Sequence, residues 1–221
     1  MKLPSDASLP WRALYVFATF LKLLTCRLTV EGAENVPKSG GCIVTCNHTD
    51  GPDYVFLGYS CPRQIFFMAK AEIFRIHAWV TRFFLTFGVF PIQRGQGDLG
   101  AIEHSVQLVK TGRVLGMFPE GTRSHTGALR QGKTGVVRIA MMANVPIIPA
   151  VVIGSLEAQR RLGQFWRRPH VIVRFGKPLY FEGNPADRDY AQESIETVMY
   201  GMAALLPKEM RGEWQLANGE G

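Results

Sequence analysis

The chain has 221 residues, 47% of them apolar and 19% charged. That balance excludes a disordered polymer and leaves enough sequence for one large core. With 25 Lys and Arg against 18 Asp and Glu the formal net charge is +7, which suits an acidic partner such as an anionic lipid headgroup or an acidic protein; there is no Lys/Arg-rich block and no nucleic-acid motif, so nucleic acid is not expected.

Residues 1–10 are polar and read as a frayed start. Trp11, Leu14, Phe17, Ala18, Leu21, Leu24 and Leu28 then recur at helical spacing. Arg12, Lys22 and Arg27 flank or interrupt this stretch. Its apolar run is shorter than the ~20 residues that span a bilayer, and it lacks the cleavage pattern of a signal peptide. An aromatic, cationic helix of this kind lies in a membrane interface or packs on a core; the stretch alone allows both. The four cysteines, Cys26, Cys42, Cys46 and Cys61, read as free buried thiols in a reducing compartment. Cys42, Cys46 and His48 do not form a zinc spacing, and no metal is expected.

Val30 to Gly40 is a strand end and a turn-rich entry into Gly41-Cys42-Ile43-Val44-Thr45, a short apolar run with the character of a buried strand. Cys46-Asn47-His48-Thr49-Asp50-Gly51-Pro52-Asp53 follows. Gly51-Pro52 breaks the extended chain, and Pro52 suits the first turn of a helix, where its missing N–H costs nothing. His48 and Asp53 are therefore expected where a strand leaves the sheet and a helix starts, the usual ligand edge of an open α/β sheet. Across that turn the carboxylate can accept the imidazole N–H and stabilise the imidazolium. The second ring nitrogen is then free to deprotonate a substrate hydroxyl. A loop histidine and a capping aspartate without chemistry is the bland alternative.

Tyr54 to Gly58 reads as a short helix and Gln64 to Ala69 as a strand ending at Lys70. Ala71 to Phe87 reads as a helix dense in large apolar side chains, which suits a core, a greasy pocket wall or a membrane-facing surface. Gly88 to Gln93 reads as a strand ending at Arg94, and Pro91 within it marks an edge or a bulge. Asp98 to Lys110 is a predicted helix. Val114 to Phe118 is a predicted strand that runs into Pro119-Glu120-Gly121-Thr122-Arg123-Ser124. Gly132-Lys133-Thr134-Gly135 opens a helix to Ala143. Strands over Val145–Ile153 and His170–Phe175 follow, with Arg160, Arg161, Arg167 and Arg168 around Phe165 and Trp166 between them. That cluster is either a solvated loop or a membrane-edge or partner-docking patch. Asp187 to Leu206 is a predicted C-terminal helix, and the chain beyond Pro207 a loose tail. Strands and helices alternate, so the expected fold is a single α/β domain with a mostly parallel central sheet flanked by helices. Residues 1–29 would form the N-terminal amphipathic, membrane-interface helix, 30–207 the main domain and 208–221 the tail.

Gly95-Gln96-Gly97-Asp98-Leu99-Gly100 has the form of a dinucleotide-binding turn between a strand and a helix. Pro91 disturbs its strand, Arg94 sits at the turn, and the reading leaves His48, Asp53 and Arg123 unexplained, so a flexible turn is preferred. The Pro119–Ser124 stretch is more informative. Gly121 lets backbone approach a ligand, Arg123 can fork two phosphate oxygens, and Thr122 and Ser124 offer hydroxyls. Lys70 and Arg94 end other strands, so three cations can converge on the edge that carries His48.

At this point the chain resembles the glycerolipid acyltransferases, specifically the 1-acyl-sn-glycerol-3-phosphate acyltransferase family. Asn47 to Asp53, Gly88 to Arg94, Phe118 to Ser124 and Val145 to Pro149 match in order, and Ala69 to Phe74 also resembles the family. The likeness covers roughly residues 30–180. It implies acyl transfer from a thioester of acyl carrier protein or coenzyme A to the hydroxyl of a lysophospholipid, with no cofactor. It further implies that His48 is the general base and Asp53 its orienter, that Glu120, Gly121, Thr122 and Arg123 lie in the acceptor-binding block, and that Arg94 and Lys70 hold phosphate. Backbone N–H groups near Gly121 are the expected oxyanion hole. The expected location is peripheral, on the cytoplasmic face of a membrane. Rival readings are a hydrolase at the same pair, an oxidoreductase using the Gly95 loop, an acyltransferase for another acceptor, and a non-catalytic lipid-binding module.

Overall fold

The computed structural model describes residues 7–75, 77–86, 88–92, 99–161 and 167–216. Along them run α1 (Leu9–Thr25), β1 (Arg27–Glu31), β2 (Cys42–Thr45), α2 (Asp53–Ser60), β3 (Ile65–Lys70), α3 (Ala78–Thr86), β4 (Val89–Ile92), α4 (Leu99–Lys110), β5 (Val114–Met117), α5 (Gly135–Ala143), β6 (Ile147–Ile153), α6 (Ser155–Arg160), β7 (His170–Phe175) and α7 (Arg188–Leu205). Among the described residues the strands form one seven-stranded sheet in the order β1-β7-β6-β2-β5-β3-β4. Every pairing is parallel except β6 with β7. The expected mostly parallel α/β sheet is therefore the observed one. Pro91 lies in β4, which is an edge strand as its missing N–H requires.

Alternation along the central strands builds two cores, because successive side chains leave opposite faces of a sheet. Ile43, Leu115, Ile147 and Val151 point to the face covered by α4, α5 and α7, where they join Val106, Val137 and Met199. Cys42, Val44, Ile148 and Val152 point the other way, to Leu57 of α2 and Val173 of β7. Both faces are covered, so the strands are apolar runs without polar alternation. On α7, Ile195, Val198, Met199 and Met202 recur at helical spacing and are buried, and Asp187 caps the helix by accepting from the N–H groups of Asp189 and Tyr190.

The N-terminal helix does two things. Trp11 and Tyr15 are buried and stack in a row with Tyr59 of α2, with ring centroids 5.7 and 4.6 Å apart. Leu9, Val16, Phe17 and Phe20 stay exposed on its other side. Among the described residues no helix is long and apolar enough to cross a membrane. The four cysteines are free and buried.

Three sequence expectations need correction. The helix expected over Ala71–Phe87 is a 3-10 turn at Ala71–Arg75 followed by α3. The stretch leading to Arg160 is not loop but the short helix α6, which starts at Ser155 directly after β6. The chain after Pro207 is not loose through residue 216. Trp214 is buried, its indole N–H donates to the Arg130 carbonyl at 3.0 Å, and the Leu129 N–H donates to the Met210 carbonyl at 2.8 Å. An aromatic side chain with a polar handle can anchor such a segment.

Candidate active site

Because β2, β3, β4, β5 and β6 run parallel, their C-terminal ends share one edge of the sheet. His48 follows β2, Lys70 ends β3, Phe118 to Arg123 follow β5, and Ser155 follows β6. Arg94 and the Gly95 to Asp98 part of the glycine-rich turn lie outside the described residues, as do Phe165 and Trp166.

The loop after β2 is fixed from its first residue. Asn47 imitates a strand residue: its amide donates to the Val152 carbonyl at 3.1 Å and accepts the Val152 N–H at 2.8 Å. The ladder between β2 and β6 is thereby carried past the end of β2. Next, the Ser124 N–H donates to the His48 carbonyl at 2.7 Å, and Thr49 and Ser124 form a parallel bridge. The loops after β2 and β5 thus continue the sheet by one residue pair. An exposed ion pair, His125 Nδ1 to Asp50 Oδ2 at 2.7 Å, joins the same two loops farther out.

His48 Nδ1 lies 3.4 Å from Asp53 Oδ2. Asp53 is fully buried at the first turn of α2. Its carboxylate also accepts the Thr49 N–H at 2.6 Å, the Thr49 hydroxyl at 2.9 Å and the Ser155 hydroxyl. A buried carboxylate requires such donors, since its charge has lost water. The His48 ring stacks on Phe118 with centroids 4.1 Å apart and planes at 24°, and Phe67 stacks beyond Phe118. No described residue bonds His48 Nε2, and the side chain keeps 17% of its exposure. The ring is therefore held at one edge and one face, with its second nitrogen open.

Glu120 lies 3% exposed behind this loop. Oε1 accepts the His48 N–H at 2.7 Å and Oε2 accepts the Arg130 N–H at 3.0 Å. Burial raises its pKa above the ordinary carboxylate value, against the lowering effect of those two N–H groups and of the nearby His48 and Arg130 charges. Both oxygens accept from the protein's own backbone, so Glu120 positions the His48 loop and the Arg130 loop. Gly121 has φ +68°, a left-handed conformation that side chains disfavour. Its N–H donates to the Phe118 carbonyl at 3.0 Å, so that particular donor is taken up by the turn, contrary to the expected oxyanion role. Thr122 and Arg123 are exposed at the rim.

Sequence reasoning missed Ser155, Phe118 as the stacking partner, and the structural parts of Asn47 and Thr49. For Ser155 the available signal was Gly154-Ser155, a break directly after an apolar strand. Gly51 links to it: a Cβ at residue 51 would lie 2.6 Å from the Leu156 nitrogen and 2.7 Å from Ser155 Oγ. Only glycine lets the loop approach the start of α6 closely enough for Ser155 to reach Asp53.

An imidazole beside a buried carboxylate, partly exposed and placed at the ligand edge of an α/β sheet, has the chemistry to take a proton from a substrate hydroxyl. Comparison with known proteins narrows the class. The family model described as Acyltransferase matches residues 27–153. The 1-acyl-sn-glycerol-3-phosphate acyltransferase of Bacillus subtilis is 30% identical over 152 residues, 68% of this chain and 73% of its own. The alpha enzyme of that name from Homo sapiens is 30% identical over 179 residues, 78% of this chain and 63% of its own. The fold is similar to the crystal structure of the 1-acyl-sn-glycerophosphate acyltransferase of Thermotoga maritima, with a TM-score of 0.62, 23% identity, and coverage of 85% of this chain and 76% of that one. The chain is an O-acyltransferase, and it belongs to the 1-acyl-sn-glycerol-3-phosphate acyltransferase family.

Proposed function

We propose that the protein moves a fatty acyl group from a thioester, of acyl carrier protein or of coenzyme A, to the sn-2 hydroxyl of lysophosphatidic acid and so forms phosphatidic acid. The observation that carries this reading is the His48 imidazole, held by Asp53 and Phe118 and still partly exposed. The relatives' names supply the acceptor, and the cationic rim suits its phosphate.

The acceptor hydroxyl lies on His48 Nε2. The imidazole takes its proton as the oxygen attacks the thioester carbonyl, and Asp53 stabilises the imidazolium. The tetrahedral intermediate collapses with loss of the thiolate, which receives the proton back from His48. Donor sulfur, acyl group and proton are then all accounted for without an acyl-enzyme. Arg123 and Lys70, with Arg94 from outside the described residues, are assigned to the acceptor phosphate.

Residues 1–29 are assigned to peripheral contact with a membrane, at its cytoplasmic face. The exposed Leu9, Val16, Phe17 and Phe20 of α1 support this, because such side chains enter an interface while Trp11 and Tyr15 hold the helix to α2. Residues 30–207 are assigned to transfer, with the packed segment 208–216 as a brace.

The test is acyl transfer by purified protein with labelled thioester and 1-acylglycerol-3-phosphate. Phosphatidic acid from the wild type, and none above background from His48→Ala at equal folded content, is the expected result. Thioester loss without lipid product would replace the reading by hydrolysis.

A further inference from the structure

Lys133 was read from sequence only as part of a helix start, yet the fold holds it against the loop that carries Glu120 and Arg123. Its N–H donates to the Pro119 carbonyl at 2.8 Å. Its aliphatic stem crosses directly over Gly121: a Cβ there would lie 2.9 Å from Lys133 Cε and 2.9 Å from Nζ. Gly121 thus lacks a side chain for two reasons, its positive φ and the lysine lying on it. Gly132, just before, is closed in by Ile195 and Met199 of α7, with a Cβ meeting them at 2.7–2.8 Å. The backbone of Lys133 is therefore fixed on this loop, and its exposed side chain lies along Gly121.

Among the described residues no carboxylate pairs with Lys133. Glu120 is beside it, but its two oxygens accept backbone N–H groups. Lys133 instead lines an open hollow of about 600 Å³ together with Thr122, Arg130 and Glu120. Arg123, next to Thr122 in the chain, is exposed. Glu213, on the opposite wall, accepts from Gln131 Nε2 at 3.4 Å. Lys133 and Arg130 share this lining with two carboxylates, but Glu120 is engaged by backbone N–H groups and Glu213 by Gln131; with the Thr122 hydroxyl beside it, the lysine ammonium suits phosphate as a point charge.

We propose that Lys133 binds a phosphate group of a substrate, its ammonium acting with Thr122 and the arginines of the same loop. This rests on the transfer reading above and deepens it. The phosphate is either the monoester of the lysolipid acceptor or one carried by a coenzyme A donor, and the same chemistry serves both.

The test compares wild type, Lys133→Met and Lys133→Arg in full-length protein. Steady-state rates are taken against 1-acylglycerol-3-phosphate and, separately, against acyl coenzyme A. Loss of one charge-assisted contact raises a KM by roughly 10- to 100-fold, so Lys133→Met is expected to do this for one substrate, with kcat within about threefold, and Lys133→Arg to recover most of it. A raised acceptor KM places the phosphate on the lysolipid, and a raised donor KM places it on coenzyme A. Unchanged KM values for both substrates would overturn the proposal. So would a fall in kcat accompanied by a lowered unfolding temperature, which is the signature of a merely structural lysine. A direct measurement does not depend on turnover. sn-Glycerol 3-phosphate and coenzyme A are each titrated while thermal unfolding is followed. At least one should raise the wild-type midpoint and fail to raise that of Lys133→Met; equal shifts in the two proteins, or none in the wild type, would overturn the assignment. A wild type that binds through Lys133 yet transfers no acyl group would sink the transfer reading and leave the phosphate site standing.

Discussion

The backbone N–H of His48 donates to Oε1 of Glu120 at 2.7 Å. Through its other oxygen Glu120 holds the Arg130 N–H at 3.0 Å. One buried carboxylate therefore ties the loop bearing the proposed base to the loop bearing the cations. Its cost is desolvation, which raises its pKa above the ordinary 4.5.

That shift has a sign in stability. The folded protein holds the Glu120 proton more tightly than the unfolded chain does. The associated stabilisation is complete below the ordinary carboxylate value and is lost as pH rises through the folded value. Glu120→Gln removes the titration and turns one acceptor into a donor facing a backbone N–H. The substitution should cost about 1–3 kcal/mol where both forms are neutral. The stability margin of wild type over Glu120→Gln should then shrink as pH rises above the ordinary carboxylate value. Urea midpoints of the two proteins across that range check it, and a margin that widens with pH would contradict the burial argument.

Ser155→Ala tests the donor that sequence reasoning missed. It leaves the fully buried Asp53 with the two donors from Thr49 and with His48. Removing a hydrogen bond to a buried charged group costs roughly 1.5–3 kcal/mol, here divided between stability and alignment of His48. Transfer should fall about tenfold or more, with kcat affected more than the acceptor KM. A variant with wild-type kcat would show that Asp53 is held adequately by Thr49 alone.

Gly51→Ala probes the close approach that brings Ser155 to Asp53. The added methyl meets backbone of α6, at 2.6 Å from the Leu156 nitrogen, which cannot swing away as a flexible side chain can. Overpacking of this kind costs roughly 1–3 kcal/mol. Activity should drop further than stability, because relief of the clash separates the two loops of the site. Gly100→Ala is the control: nothing lies within 4 Å of a Cβ there, and a helical alanine is tolerated or favoured.

Cys46 stands two residues before His48, yet it should take no part in the chemistry. The thiol is fully buried, and desolvation together with the Asp53 and Glu120 charges pushes its pKa well up. A thiol without thiolate character is neither nucleophile nor alkylation target. Iodoacetamide should leave native activity unchanged, and Cys46→Ala should retain transfer if the fold survives. Rapid alkylation at Cys46 with matching inactivation would reopen an acyl-thioester route.

Much of this architecture was legible in the chain. The short apolar runs at Cys42–Thr45, Val114–Met117 and Ile147–Ile153 are strands because both faces of the sheet are covered, and that burial writes itself into the sequence as uninterrupted apolarity. Pro91 announced an edge because a proline cannot donate to a ladder. His48 and Asp53 were legible as a pair because five residues and a Gly-Pro break bring them together locally. Misread segments had weaker local signatures. The six residues of α6 carry too little periodicity to stand out, and the 3-10 turn at Ala71–Arg75 shares its apolar residues with α3. The packing of residues 208–216 depends on Trp214 finding the Arg130 carbonyl, 84 positions away.

The sequence by itself determined the strand–helix alternation, the pairing of His48 with Asp53, and glycines such as Gly121 where backbone must turn left-handed or pass closely. These are properties of neighbours along the chain. Tertiary structure alone decided that Ser155 supports Asp53, that Phe118 carries the His48 ring, and that Glu120 braces two loops. Each of these joins residues from different loops after different strands. Their meeting is set by parallel strand order and register, which bring distant chain segments to one edge of the sheet and leave no mark in any local pattern.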